Sequence, residues 1–221
     1  MSIKLSQRVV ILGVCCLLVG CGRDPVAKLI AGLKDTDAVV RRAAARSFDE
    51  KYSADTRAID ALIMCVADTD AEVRYYSIAA LAKCGAAAKP ALPKLKSALA
   101  DTEKRVRVQA AFAIQRIDPK DESFVPVLIG AMREGDGKTL LEVGALGADA
   151  AWAVPTLTGL LSHESAKVRV LATNDLGHIG PAAASAKPAL QGALRDSNAA
   201  VQHAAQNALD RIARPTAAAS N

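Results

Sequence analysis

The chain has 221 residues, of which 51% are apolar, 3% aromatic and 23% charged, with a formal net charge of +5. So large an apolar share excludes a disordered chain. The scarcity of rings, with alanine making up the shortfall, disfavours β-sheet: strands favour β-branched and aromatic side chains, whereas alanine is the best helix former.

Residues 1–20 read as an export signal. Lys4 and Arg8 provide a positive start, and Val9 to Val19 form an apolar run. The run is too short to span a bilayer, which takes about 20 residues, but it suits the apolar centre of a signal peptide. It ends in Leu18-Val19-Gly20-Cys21, which resembles the bacterial lipobox. The resemblance implies cleavage before Cys21, a diacylglycerol thioether on its sulfur and acylation of its new amino group. Residues 21–23 would then be a lipidated end and short linker, and several acyl chains give stable membrane anchoring. Gly22 replaces the Asp that retains enteric lipoproteins at the inner membrane, so the outer membrane, facing the periplasm, is expected. Losing Lys4 and Arg8 takes 28 basic residues to 26 against 23 acidic, a net +3. An exported, weakly basic protein is not expected to bind nucleic acid.

Residues 24–214 are periodic. Asp35-Thr36-Asp37, Asp68-Thr69-Asp70 and Asp101-Thr102-Glu103 stand 33 residues apart, and each precedes a Val-Arg pair: Val40-Arg41, Val73-Arg74 and Val106-Arg107. A worn copy follows at Glu134, a fifth at His163 after a step of 29, and a sixth at Asp196 after 33. Leu29, Leu62, Leu95, Leu128, Leu157 and Leu190 each stand six residues before a turn position. Each unit reads as a short helix, an Asp turn and a second helix. Pro93, Pro126, Pro155 and Pro188 open the later first helices, where a missing N–H costs nothing. The turn Asp, Ser and Asn side chains are expected to accept from the free N–H groups of the second helix. Val40, Ala44 and Phe48 are expected to share the apolar face of the first such helix. Gly85 and Gly180 mark C-terminal caps. The fourth copy lacks four residues, carries Leu140 in the arginine column and puts Gly147 in a column of large apolar residues. Its second helix is expected to be short or distorted. Residues 215–221 lack a helix pattern and are expected to form a disordered tail.

The helix leucine, the turn Asp, the Val-Arg pair and the Ala-rich second helix ending Leu81-Ala82-Lys83-Cys84-Gly85 or Leu176-Gly177-His178-Ile179-Gly180 resemble HEAT repeats. The closest type is the bacterial one named from phycobilisome (PBS) lyases. The resemblance implies an all-α fold, a right-handed α-solenoid of about six two-helix repeats over residues 24–214. A lone pair of helices cannot bury its apolar face, but a stack can. Cys65 and Cys84 fall at opposite ends of antiparallel helices, and a disulfide needs Cα atoms within about 7 Å, so two free thiols are expected.

In such stacks the recurring Asp35, Asp68 and Asp101, with Arg41, Arg74, Arg107 and Arg169, are expected to form a structural ladder rather than a catalytic site. No Cys/His cluster has metal-ligand spacing, no phosphate loop or nucleophile elbow is present, and His163-Glu164 is a single His-Glu pair at a turn. No catalytic residue, metal or cofactor is therefore expected, and the chain is not read as an enzyme. Arg42, Arg46, Tyr75, Tyr76, Val108, Phe112 and Gln115 are expected on the outer side of the second helices, lining a groove suited to protein contact. The reading is a lipid-anchored, non-enzymatic scaffold held to the membrane through Cys21, with an unidentified protein or peptide as partner. The alternatives are a cofactor-handling protein of the phycobilin-lyase type and a self-associating structural envelope protein.

Overall fold

The computed structural model describes residues 24–214, which form six helix pairs and, among the described residues, no strand. The export signal, Cys21 and the tail 215–221 lie outside the described residues. The chain divides after Phe124 into two compact units. The first unit contains α1 (Pro25–Leu33) with α2 (Ala38–Arg46), α3 (Thr56–Cys65) with α4 (Ala71–Lys83), and α5 (Leu92–Ala98) with α6 (Lys104–Ile117). The second contains α7 (Val125–Arg133) with α8 (Gly137–Ala145), α9 (Val154–Leu160) with α10 (Ala166–Ile179), and α11 (Lys187–Ala193) with α12 (Ala199–Ala213). Within each unit the second helices pack in series, α2 on α4 on α6 and α8 on α10 on α12. No helix among the described residues is long and apolar enough to cross a membrane.

The repeated leucines are the core. Leu62, Leu95, Leu128, Leu157 and Leu190 are fully buried, as are Val73, Val106 and Val201. The first pair departs from this pattern. Val40 is 40% exposed, and the buried residues at that end of the repeat are Ala45 and Phe48. No described helix pair precedes α2, so the side that α4 presses against α2 lies open on α2 itself.

The turns divide their work between two side chains. The first acid folds the turn: Oδ1 of Asp35, Asp68, Asp101 and Asp196 accepts from the backbone N–H two residues on, at 2.8–2.9 Å. The second residue caps the helix where it is Asp or Asn, whereas Glu103 and, against expectation, Ser165 make no side-chain cap bond. Asp37 accepts from Val39 N–H, Asp70 from Val73 N–H and Asn198 from Ala200 N–H. His163 stands in for the first acid, its Nδ1 accepting from Ser165 N–H at 3.0 Å.

The fourth copy loses its four residues from α8. That helix has 9 residues where α10 has 14. Gly147, with φ +57°, ends the repeat as Gly85 and Gly180 do, in the left-handed region that favours glycine. It is therefore the counterpart of Gly180 and does not belong to the apolar column. Counting back from the cap, Val143 takes the place of Leu176, and both are fully buried. Four residues are close to one helical turn, so the deletion shortens the helix and keeps its buried face.

Cys65 and Cys84 are free and buried. Each thiol donates to a carbonyl, Cys65 to Leu33 at 3.6 Å and Cys84 to Ala80 at 3.4 Å. Burial pushes the Cys84 thiol up to about 11.

Candidate functional site

The recurring arginines are bound into the fold. Arg41 donates through Nε and Nη2 to both carboxylate oxygens of Asp68, at 2.7 and 2.8 Å, and through Nη1 to the Asp35 and Thr36 carbonyls. Arg74 repeats this with Asp101 and the Asp68 and Thr69 carbonyls, and Arg169 with Asp196 and the His163 and Glu164 carbonyls. Arg107 holds its own turn through the Asp101 and Thr102 carbonyls. One guanidinium thus ties its own turn to the turn of the next copy, and only its planar fork of donors can do both. These side chains are about 10–15% exposed, and so deep a pair offers little to a ligand.

The exposed chemistry lies beside this ladder, in the first unit. Tyr75 and Tyr76 on α4 are half-buried and meet edge to face, with centroids 5.3 Å apart. Arg46 of α2 lies over the Tyr76 ring at 5.7 Å, and Arg105 of α6 over the Tyr75 ring at 5.3 Å. Arg105 also pairs with Glu72, and Arg42 pairs with Asp70 at 2.8 Å. Three successive second helices therefore share a band of arginine and tyrosine. Its cations are held in place by rings and carboxylates, which lowers the entropy lost when a partner binds.

The band is smaller than the predicted groove. Val108 is half-buried, Phe112 is 4% exposed and Gln115 is 5% exposed. Residues Ala110 to Gln115 of α6 are all buried, so the helix is enclosed on every side there. A helix inside a stack touches its own partner and its neighbours, so it has no single buried face. Phe112 and Gln115 are core residues and leave the surface. Arg105 and Glu72 enter it. They are 33 residues apart with opposite charge, one repeat length, a pairing signal present in the sequence.

A model of the HEAT repeats family matches residues 26–111 and 154–220, more than half of the chain. The chain belongs to the HEAT repeat family. No curated protein matches this HEAT repeat chain. Among solved structures, an engineered protein is 25% identical at a TM-score of 0.57, covering 86% of this chain and 96% of its own. A designed armadillo repeat protein in complex with the peptide (KR)4 is 18% identical at 0.59, over 86% of this chain and 100% of its own. CpcE and CpcF of phycocyanin lyase from Nostoc sp. PCC7120, solved as a complex, are similar at 22% identity and 0.54, over 87% and 80%. These likenesses are of fold. The stretch the family model skips, between 111 and 154, contains the shortened fourth HEAT repeat, where the missing turn of α8 breaks the 33-residue spacing.

Proposed function

We propose that this HEAT repeat protein is a non-enzymatic interaction scaffold, anchored in a bacterial envelope by lipid on Cys21, that recognises a protein or peptide through its second helices. The observation that carries the reading is the band of Arg46, Tyr75, Tyr76 and Arg105. It gathers two arginines and two tyrosines from three helices of the first unit, outside the ladder, and these residue types dominate binding energy at protein interfaces. Two fold relatives are described in complexes, one with a peptide and one of CpcE with CpcF, which supports a binding role for stacks of this kind. The lipobox residues support the anchor.

The test is crosslinking in intact envelopes followed by identification of captured proteins, with wild type beside a Tyr75→Ala/Tyr76→Ala double variant. The expected result is one or a few partners, depleted at least tenfold in the variant. Both side chains are half-buried, so circular dichroism must first show the variant folded. An identical partner list from a folded variant removes the band as the binding surface.

A further inference from the structure

The second unit holds a buried acid that the ladder does not use. Asp175 lies on α10, five residues before the capping Gly180. Ala80, Ala113 and Ala208 occupy the equivalent place in three other copies, and all are buried. Asp175 is itself only 2% exposed, and its Oδ2 is enclosed without a hydrogen-bond partner. Burial alone pushes its carboxyl up to about 7. An unpaired buried carboxylate is strongly unfavourable where alanine would serve.

The facing helix makes room for it. A Cβ on Gly144 of α8 would stand 2.9 Å from Asp175 Cγ, collide with Oδ1, and lie 3.5 Å from His178 Nδ1. The acid and the imidazole therefore both approach Gly144, where α8 has no side chain to meet them. Around them opens a cavity of about 460 Å³, lined by Leu141, Gly144, Leu171, Asn174, Asp175 and His178 among others. Leu141 is 61% exposed at its rim. Burial, and then Arg211 of α12, hold His178 below the usual histidine value, so it is a neutral acceptor at pH 7.5.

We propose that this cavity receives a primary ammonium on an aliphatic stem, the side chain of a lysine in a bound peptide. The peptide rests on the scaffold reading, whereas the ammonium rests on the cavity alone. An ammonium has three N–H donors and no acceptor. The cavity wall includes the Asp175 carboxylate, the neutral His178 imidazole and the Asn174 side-chain amide. Leu141 and Leu171 supply apolar contact for the methylene stem, as lysine requires when its head is charged. The cation gives the Asp175 carboxylate, which lines the cavity, a partner of opposite charge beside largely apolar side chains.

The experiment titrates n-butylammonium chloride into the full-length protein at pH 7.5, following the His178 imidazole by 1H–15N NMR. Sodium butyrate, 1-pentanol and n-butylguanidinium run alongside. A saturable shift with n-butylammonium is expected, with a dissociation constant on the order of millimolar for so small a ligand. The anion and the alcohol are expected to give none. Asp175→Asn should weaken binding at least tenfold, and Gly144→Ala should abolish it, because the added Cβ collides with the Asp175 carboxylate and pushes it out of place, each in protein shown folded by circular dichroism. Absence of saturation, survival of binding in both folded variants, or tighter binding of the guanidinium overturns the assignment. A short lysine peptide beside its Nε-acetyl form tests the peptide arm. Amine binding without peptide binding overturns the lysine proposal. Failure of the amine with Tyr75/Tyr76-dependent crosslinks intact removes the cavity and leaves the scaffold reading standing.

Discussion

Arg74 uses a single guanidinium for four hydrogen bonds, two to Asp101 and one each to the Asp68 and Thr69 carbonyls. Lysine keeps the charge and loses the fork. Arg74→Lys is therefore expected to cost about 2 kcal/mol in urea unfolding, and a double-mutant cycle with Asp101→Asn to give a coupling of about 1–3 kcal/mol. Acid acts on the same ladder. The Arg41 guanidinium beside Asp68 holds its carboxyl below the ordinary value of 3.8. That stabilisation is present above about pH 4 and is lost as pH falls through the folded value. Asp175 titrates the other way. Its carboxyl is raised to about 7, so the folded state keeps a proton that the unfolded state releases. Stability then falls between about pH 4 and pH 7, by roughly 4 kcal/mol for a shift of this size. Asp175→Asn removes that slope. Stability of the variant relative to wild type, followed by urea unfolding from pH 4 to pH 8, should rise with pH, and a flat difference would show that Asp175 titrates normally.

At the scale of the helix, alanine and glycine set the spacing. A Cβ on Gly177 of α10 would stand 3.0 Å from Ala208 Cα on α12, against backbone that cannot turn aside. A Cβ on Gly32 of α1 would meet Ala44 Cβ of α2 at 2.8 Å. Large side chains at such contacts must push whole helices apart. Gly177→Leu is expected to destabilise the protein by at least about 1–3 kcal/mol, the usual cost of overpacking, read as a lower midpoint in thermal or urea unfolding. An exposed glycine such as Gly192, whose added Cβ meets nothing within 4 Å, makes the control, where Gly192→Ala should hold or raise stability through helix propensity. The cysteines obey the same packing. Cys65 and Cys84 are buried free thiols, so these two should react slowly with a thiol reagent in native protein and at once in unfolded protein.

At the scale of the whole molecule, the proposed lipid anchor would decide where the repeats work. The lipobox-like residues end three positions before Asp24, whose side chain caps α1 through the Val26 and Ala27 N–H groups. Lipid on Cys21 would therefore hold the first helix pair close to a membrane. Cys21→Ala is expected to abolish labelling by an alkyne fatty acid and to move the protein from the membrane fraction to the soluble one. Labelling that survives the substitution sinks the anchor.

Much of this protein is legible from the chain alone. The 33-residue step, the leucine column and the Val-Arg pairs reveal six helix pairs and the arginine ladder, because each is a local pattern repeated until chance is excluded. The composition agrees: with 3% aromatic residues in an apolar chain, helices must pack on alanine. Three features were settled only in three dimensions. Equal spacing put Gly147 in the apolar column, whereas the missing turn of α8 restores Val143 to that place, since a gap inside a helix is invisible until its ends are seen. Phe112 and Gln115 looked exposed on one helix and are buried, because burial depends on neighbours on every side. Asp175 broke an alanine column in the sequence, yet its meaning came from Gly144, a residue of another repeat that leaves space in front of it. Periodicity determines what each repeat is. Contacts between repeats determine which of its side chains remain free to act.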